Sequence, residues 1–312
     1  MENIRRIISC NFDEFKVNID AIDLQCKYGK KERNLLHYVS KFGTLEMFKY
    51  VADKGVDMHL TDIDGKMPIH LACERGDDGL EIVKFLMENG AKLDFVLLLL
   101  ACIANSLKLV EYFVENGLDI NAPYDYSTTI QYACQNGDAA LELVKYLVKN
   151  GGNTIGSLHF ACTNGDNGLE LVKYFVEECG LNLMCENAWG TLPIHIACER
   201  GDKSLQLVTY ILERCKNSLN HANNRKYRPI HCACIRGDNA INLVKLLIDN
   251  GADPNHKNYL EEYPIHIACN RGDDAIELVK YLIKICGDKN LDETPIQYAQ
   301  KLSLAIKMYD DY

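Results

Sequence analysis

The sequence predicts an all-α solenoid, a stack of helix–turn–helix units, and three recurring phrases predict it. The first is Pro68-Ile-His-Leu-Ala-Cys73, which returns as Pro193-Ile-His-Ile-Ala-Cys198, Pro229-Ile-His-Cys-Ala-Cys234 and Pro264-Ile-His-Ile-Ala-Cys269. The second is Gly76-Asp-Asp-Gly-Leu-Glu-Ile-Val-Lys-Phe-Leu86, echoed from Gly137 and from Gly272. The third is Asn89-Gly-Ala91, extended at Asn250-Gly-Ala-Asp-Pro-Asn255. The alanine position of the first phrase and its eroded copies falls at 39, 72, 101, 133, 161, 197, 233, 268 and 299, with steps of 28 to 36 residues. A near-constant period in the low thirties marks a repeat array.

Each phrase predicts one part of the unit. Proline opens a short first helix, where its missing N–H costs nothing. Gly-Asp then ends that helix: glycine accepts the left-handed turn, and Asp77 or its neighbour is expected to cap the second helix of the same unit. In that helix Leu80, Val83, Leu86 and Met87 share one face. Glu81 and Lys84 form a solvent-side pair, and Lys108 with Glu111 is expected to repeat it with the signs exchanged. Asn-Gly closes the unit and turns the chain.

The length of 312 residues would suggest about two domains. Repeat proteins escape that count because their cores grow in one dimension. The expectation is one continuous domain, elongated and with a single core: a capping segment at 1–33, the array at 34–299 and a polar closing tail at 300–312. In the capping segment, the stretch from Asp13-Glu-Phe-Lys16 onward reads as a second helix without its first.

Composition bounds the function. A net charge of −10 argues against nucleic acid and anionic membrane as main ligands. The most apolar stretch, 95–104, is about half of a membrane span. Met1 to Cys10 holds no apolar core of signal-peptide length, so a soluble, monomeric, cytoplasmic protein is expected. The fourteen cysteines are read as free thiols.

The residues offer no catalytic, cofactor or metal site. No phosphate-binding glycine loop, His-Glu-x-x-His or Gly-x-Ser-x-Gly occurs. Histidines 37, 70, 159, 195, 231 and 266 form a row along the first helices, and stacked helices about 8–10 Å apart keep such rings separate. Cysteines 73, 102, 134, 162, 198, 234 and 269 form a second row, where a small apolar group suits the space between helices.

Pro-Ile-His-Leu-Ala, the Leu-Glu-Ile-Val run and Asn-Gly-Ala-Asp-Pro-Asn together resemble the ankyrin repeat, over roughly Asn34 to Ala299. One departure is regular: Gly-Asp-x-x-Leu carries two more residues between the helices than the usual ankyrin turn. The resemblance implies about nine repeats including end caps, with β-hairpin-like finger loops. It implies that each histidine bonds loop backbone. It also implies a non-catalytic scaffold that binds another protein through its fingers and concave groove. The alternative is an enzyme or a substrate-receptor component built on the same framework.

Carried onto this chain, the groove positions after the ladder cysteines put Arg200, Arg236 and Arg271 in register. They read as a stripe for an acidic or phosphorylated segment, or as solvated cations at helix C-termini. Full-length fingers run unbroken only between about Leu181 and Tyr263. They carry Trp189, the sole tryptophan, with Arg225, Lys226 and Tyr259; Tyr124 holds the Tyr259 place in an earlier finger. Trp189 reads either as an interface anchor or as a ring folded back on its own hairpin. The rival surface, in the N-terminal repeats, is Tyr28, Lys41 and Arg75.

Overall fold

A computed structural model describes residues 2–19, 23–24, 26–122 and 127–286. Tyr124, the last copy of the first phrase with Gln297, and the tail at 300–312 lie outside the described residues. Among the described residues every regular element is a helix, and one isolated bridge joins Tyr28 to Arg33. The contacts divide the chain into two units, Met1–Ala133 with Glu142–Thr154, and Cys134–Leu141 with Ile155–Tyr312.

In the first unit the helices pair as Glu2–Ile8 with Phe12–Ile19, Leu35–Phe42 with Leu45–Asp53, Pro68–Cys73 with Leu80–Glu88, and Phe95–Ile103 with Leu107–Glu115. The N-terminal segment therefore holds two helices where the sequence suggested only a second one. Ile4 and Ile8 give the added helix an apolar face, and both are buried with Phe15 and Ile19. The pair Thr129–Cys134 and Leu141–Lys149 supplies residues to both units.

In the second unit Ser157–Cys162 pairs with Leu169–Lys173, which continues as a wider turn over Tyr174–Glu178. Pro193–Cys198 pairs with Leu205–Arg214, Pro229–Cys234 with Ile241–Asp249, and Pro264–Cys269 with Ile276–Cys286. The core repeats as the sequence does. Ala72, Cys73, Val83 and Leu86 have no exposed surface, and neither do Ala233, Cys234, Val244 and Leu247. Six ladder cysteines are buried and Cys269 is partly exposed, all as free thiols. Burial raises the Cys134 thiol to about 12, so it stays protonated and inert at neutral pH.

The two extra turn residues form a short 3₁₀ turn, as at Gly76–Gly79 and Gly201–Ser204. This turn corrects the expected cap. Asp138 accepts from Leu171 N (3.0 Å), Asp166 from Leu207 N (2.8 Å), Asp202 from Leu243 N (2.8 Å) and Asp238 from Leu278 N (2.8 Å). Each aspartate thus caps the second helix of the following repeat, because the longer turn carries it past its own helix. Where the next repeat has a short turn, Asp77 instead accepts from Ser106 Oγ and pairs with Lys108. That pairing replaces the expected Lys108–Glu111 contact. Glu81 and Lys84 do pair, at 3.0 Å.

Candidate partner-binding surface

The fingers are built on one side-chain device. In the second unit Asn187 Oδ1 accepts from the backbone N–H of Trp189 and of Thr191 (2.9 and 3.1 Å). Asn223 does the same for Arg225 and Tyr227, and Asn258 for Leu260 and Glu262. Asp62 repeats the pattern in the first unit. Asparagine and aspartate are suited to this role because a short side chain can stand in for a backbone carbonyl in a turn. The signal for it in the sequence is an Asn or Asp six places before Pro68, Pro193, Pro229 and Pro264, and the repeat phrases above do not include it.

Consecutive fingers are tied at their tips. Asn224 N donates to Trp189 O and Tyr259 N donates to Arg225 O, each at 3.0 Å. These bonds set Trp189, Arg225 and Tyr259 side by side. Trp189 is 64% exposed, and the Arg225 guanidinium lies 5.7 Å from its ring centroid, a cation–π contact. Tyr259 is 49% exposed, with its ring 6.5 Å from that of Tyr227. Leu260, which sequence pattern did not single out, is 55% exposed beside it. Lys226 is exposed on the same tip. The finger part of the predicted surface is brought together.

Behind the fingers the histidines hold the loops in place. His195 Nδ1 accepts from Leu192 N (3.1 Å) while Nε2 meets Tyr227 O (3.1 Å) of the next finger. His231 repeats this with Arg228 N and His256 O. One nitrogen accepts and the other donates, so each ring is neutral and of fixed tautomer. Burial holds both below their ordinary value, at about 4. Where glutamine replaces histidine, Gln131 Oε1 accepts from Thr128 N (3.2 Å), the same bond by another acceptor.

The arginines divide. They follow the C-terminal ends of six-residue first helices, about 9 Å along the axis from the fingers that precede those helices. Arg236 Nε donates to Glu199 O of the preceding repeat, and Arg271 sits 3.9 Å from Asp274. The Arg200 side chain makes no hydrogen bond or ion pair among the described residues. Arg200 and Arg236 line one cavity of about 550 Å³ with Asp202, Lys203, Asp238 and Asn239, and Lys203 is new to the set. In the rival surface Arg75 donates to Ser40 O and Gly43 O, Lys41 pairs with Glu74, and the Tyr28 hydroxyl donates to Asp23 O. Those side chains serve the fold.

Among the described residues, no three His, Cys, Asp or Glu side chains converge as metal ligands would. No helix among them is long and apolar enough to cross a membrane.

Comparison with known proteins agrees with the repeat. A curated relative, "Ankyrin repeat protein nuc-2" of Neurospora crassa, is 28% identical over 155 residues, covering 46% of this chain and 14% of that protein. The chain therefore spans a small part of that relative's length. Among solved structures, the human ASB11 ankyrin repeat domain has a TM-score of 0.44 and 21% identity, covering 81% of this chain and 97% of that one. A family model described as "Ankyrin repeats (3 copies)" matches residues 6–96, 158–258 and 238–307, and one described as "Ankyrin repeats (many copies)" matches 98–148. These segments take in most of the sequence, repeat phrases included, and the chain belongs to the ankyrin-repeat family.

Proposed function

We propose that this chain is a non-catalytic scaffold, cytoplasmic and monomeric, that engages a protein partner through the fingertips of its second unit. Ankyrin repeats generally mediate protein–protein interaction, and the family is typically non-catalytic. The observation that carries the reading is the row Trp189, Arg225 and Tyr259, exposed but fixed by backbone bonds from finger to finger. Aromatic and arginine side chains dominate binding hot spots because they bury much area and lose little freedom. A fixed row has already lost most of its freedom before a partner arrives.

The partner surface is Trp189, Arg225, Lys226 and Tyr259, joined by the helix-end residues Arg200, Arg236 and Arg271. Its cations favour an acidic or phosphorylated segment, and steering of that kind weakens as salt screens it.

The sole tryptophan supplies the test. With partner purified by affinity capture, Trp189 emission shifts to the blue on binding and acrylamide quenching falls. Trp189→Ala weakens binding by roughly thirtyfold, the cost of a 2 kcal/mol hot spot, while the melting temperature stays put. A bound partner that leaves Trp189 as quenchable as before sinks this placement.

A further inference from the structure

The fingertips do not account for the cavity at the other end of the first helices. It lies between two 3₁₀ turns, Gly201–Ser204 and Gly237–Ala240, and holds Arg200, Lys203, Arg236, Asp202, Asp238 and Asn239. We infer that it binds a phosphoryl group, presented as phosphoserine or phosphothreonine on an exposed segment of a partner protein. The inference rests on the protein-binding reading above and adds to it a ligand chemistry and a second point of contact.

The donors argue for an anion. The side chains of Arg200 and Lys203 have no hydrogen-bonding or ionic partner among the described residues, and both are exposed. Arg236 uses only its Nε, on Glu199 O. Of the five N–H donors on a guanidinium and three on an ammonium, the cavity thus keeps all those of Arg200 and Lys203 and four of Arg236.

The two aspartates in the wall would ordinarily oppose an anion. Both are already committed. Asp202 accepts from Leu243 N and from Asn242 Nδ2, each at 2.8 Å, and Asp238 accepts from Leu278 N at 2.8 Å. Their charge is offset in part at the N-termini of the second helices Ile241–Asp249 and Ile276–Cys286, where backbone N–H groups and the helix dipole favour it. None of the three cations forms an ion pair among the described residues, and Arg236 alone feels a further carboxylate, that of Glu199. The next step of the array lacks this imbalance, because there Arg271 is paired with Asp274. In the first unit Arg75 is bonded to two carbonyls and Asp77 to Ser106 and Lys108.

The number of donors selects among anions. A carboxylate carries one charge on two oxygens, whereas a phosphomonoester carries nearly two on three. Two guanidinium forks and an ammonium match the second better than the first. Size selects the source: about 550 Å³ is far more than a phosphate fills, and leaves room for main chain on either side of a phosphorylated residue.

The test uses the full chain and two degenerate peptide pools, one centred on phosphoserine or phosphothreonine and one on the plain residues, read by fluorescence anisotropy. The phosphorylated pool is expected to bind at least tenfold more tightly, and more weakly as salt rises. The double variant Arg200→Gln with Lys203→Gln loses on the order of thirtyfold in affinity, with its thermal unfolding unchanged. Parental binding by the double variant, or equal binding of the two pools with neither phosphate competitor bound, overturns the site. Inorganic phosphate and inositol hexakisphosphate are run as competitors. Tight binding of either with no preference between the peptide pools overturns the assignment to a partner's segment. Failure here with the Trp189 emission shift intact removes the phosphoryl site alone and leaves the fingertip reading standing.

Discussion

Arg75 in the first unit and Arg200 in the second occupy the same place in their repeats, two residues after the ladder cysteine. Arg75 is half-buried and donates to Ser40 O (3.1 Å) and Gly43 O (2.7 Å) of the preceding repeat. Arg200 is exposed, and its guanidinium donates to nothing among the described residues. The preceding repeats differ in their turns as well. Leu35–Phe42 ends at Gly43 and passes straight to Thr44, which caps the next helix, so its last carbonyls need an outside donor. Before Arg200, Thr163 Oγ1 serves Phe160 O (2.6 Å), while Asn164 N and Nδ2 serve Ala161 O. The carbonyls in the places of Ser40 and Gly43 there are those of Cys162 and Gly165, and no bond joins the Arg200 side chain to either. One repeat position is a joint in the first unit and a handle in the second.

The largest expected effect separates the two units by acid. His195 and His231 are fully buried, and burial holds them at about 4 against an ordinary 6.5. The unfolded chain therefore binds more protons between those values. The stabilisation is complete above about pH 6.5, declines as pH falls, and is gone below about 4. A shift of this size is worth about 3 kcal/mol per histidine. His37 and His70 are lowered by the same cause. Hydrogen exchange from pH 7 to pH 4 should speed up most in the repeats that contain Pro193–Cys198 and Pro229–Cys234. Greater acid loss around Pro68–Cys73 would contradict the deeper burial assigned to the second unit.

A smaller effect tests the joint and the handle directly. Arg75→Ala removes two hydrogen bonds from a charged donor and strands two carbonyls, a cost of about 2 kcal/mol. Arg200→Ala breaks no bond within the described residues and should leave thermal unfolding unchanged. Denaturation of the two variants side by side gives the comparison. Equal losses would mean that Arg200 has a structural partner after all.

The repeat is legible in the sequence because its cause is local. Proline starts, glycine stops and the apolar period are written within about ten residues of each other, and the helices form accordingly. The capping aspartates are legible as caps but not in direction, since Leu207 lies 41 residues from the Asp166 that caps it and only the stacking brings them together. The same limit governs the arginines. Their register can be read from the spacing, but whether Arg236 holds Glu199 O or Arg271 meets Asp274 depends on neighbours that the period does not specify. Lys203 escapes the pattern because it sits in the extra turn, where the residue type varies from copy to copy. Trp189 can be placed on a fingertip, while the Arg225 ring contact belongs to the next finger's approach.

The smallest effect concerns the fingertips, where the second unit keeps the first unit's residue at one turn position in one finger and departs from it in two. Gly65 in the first unit and Gly190 in the second take a left-handed φ of +76° and +67°. Lys226 and Glu261 hold the same turn position at +56° and +61°, a region that disfavours any residue with a Cβ. A left-handed backbone costs such a residue roughly 1–2 kcal/mol, and glycine returns about half of that through its greater freedom when unfolded. Lys226→Gly should therefore stabilise the chain by about 0.5–1 kcal/mol, visible as a small rise in melting temperature. It should also weaken partner binding and flatten its salt dependence, because one fingertip cation is gone. Gly190→Ala is the opposing control. Its Cβ would meet Asn224 Oδ1 at 2.5 Å in a backbone that already disfavours alanine, so it should destabilise. Strain kept at Lys226, in a finger where glycine would relax it, is what a residue held for contact rather than for folding would show. A Lys226→Gly variant that binds as before, however stable, would remove Lys226 from the surface and leave Trp189 and Arg225 to carry it.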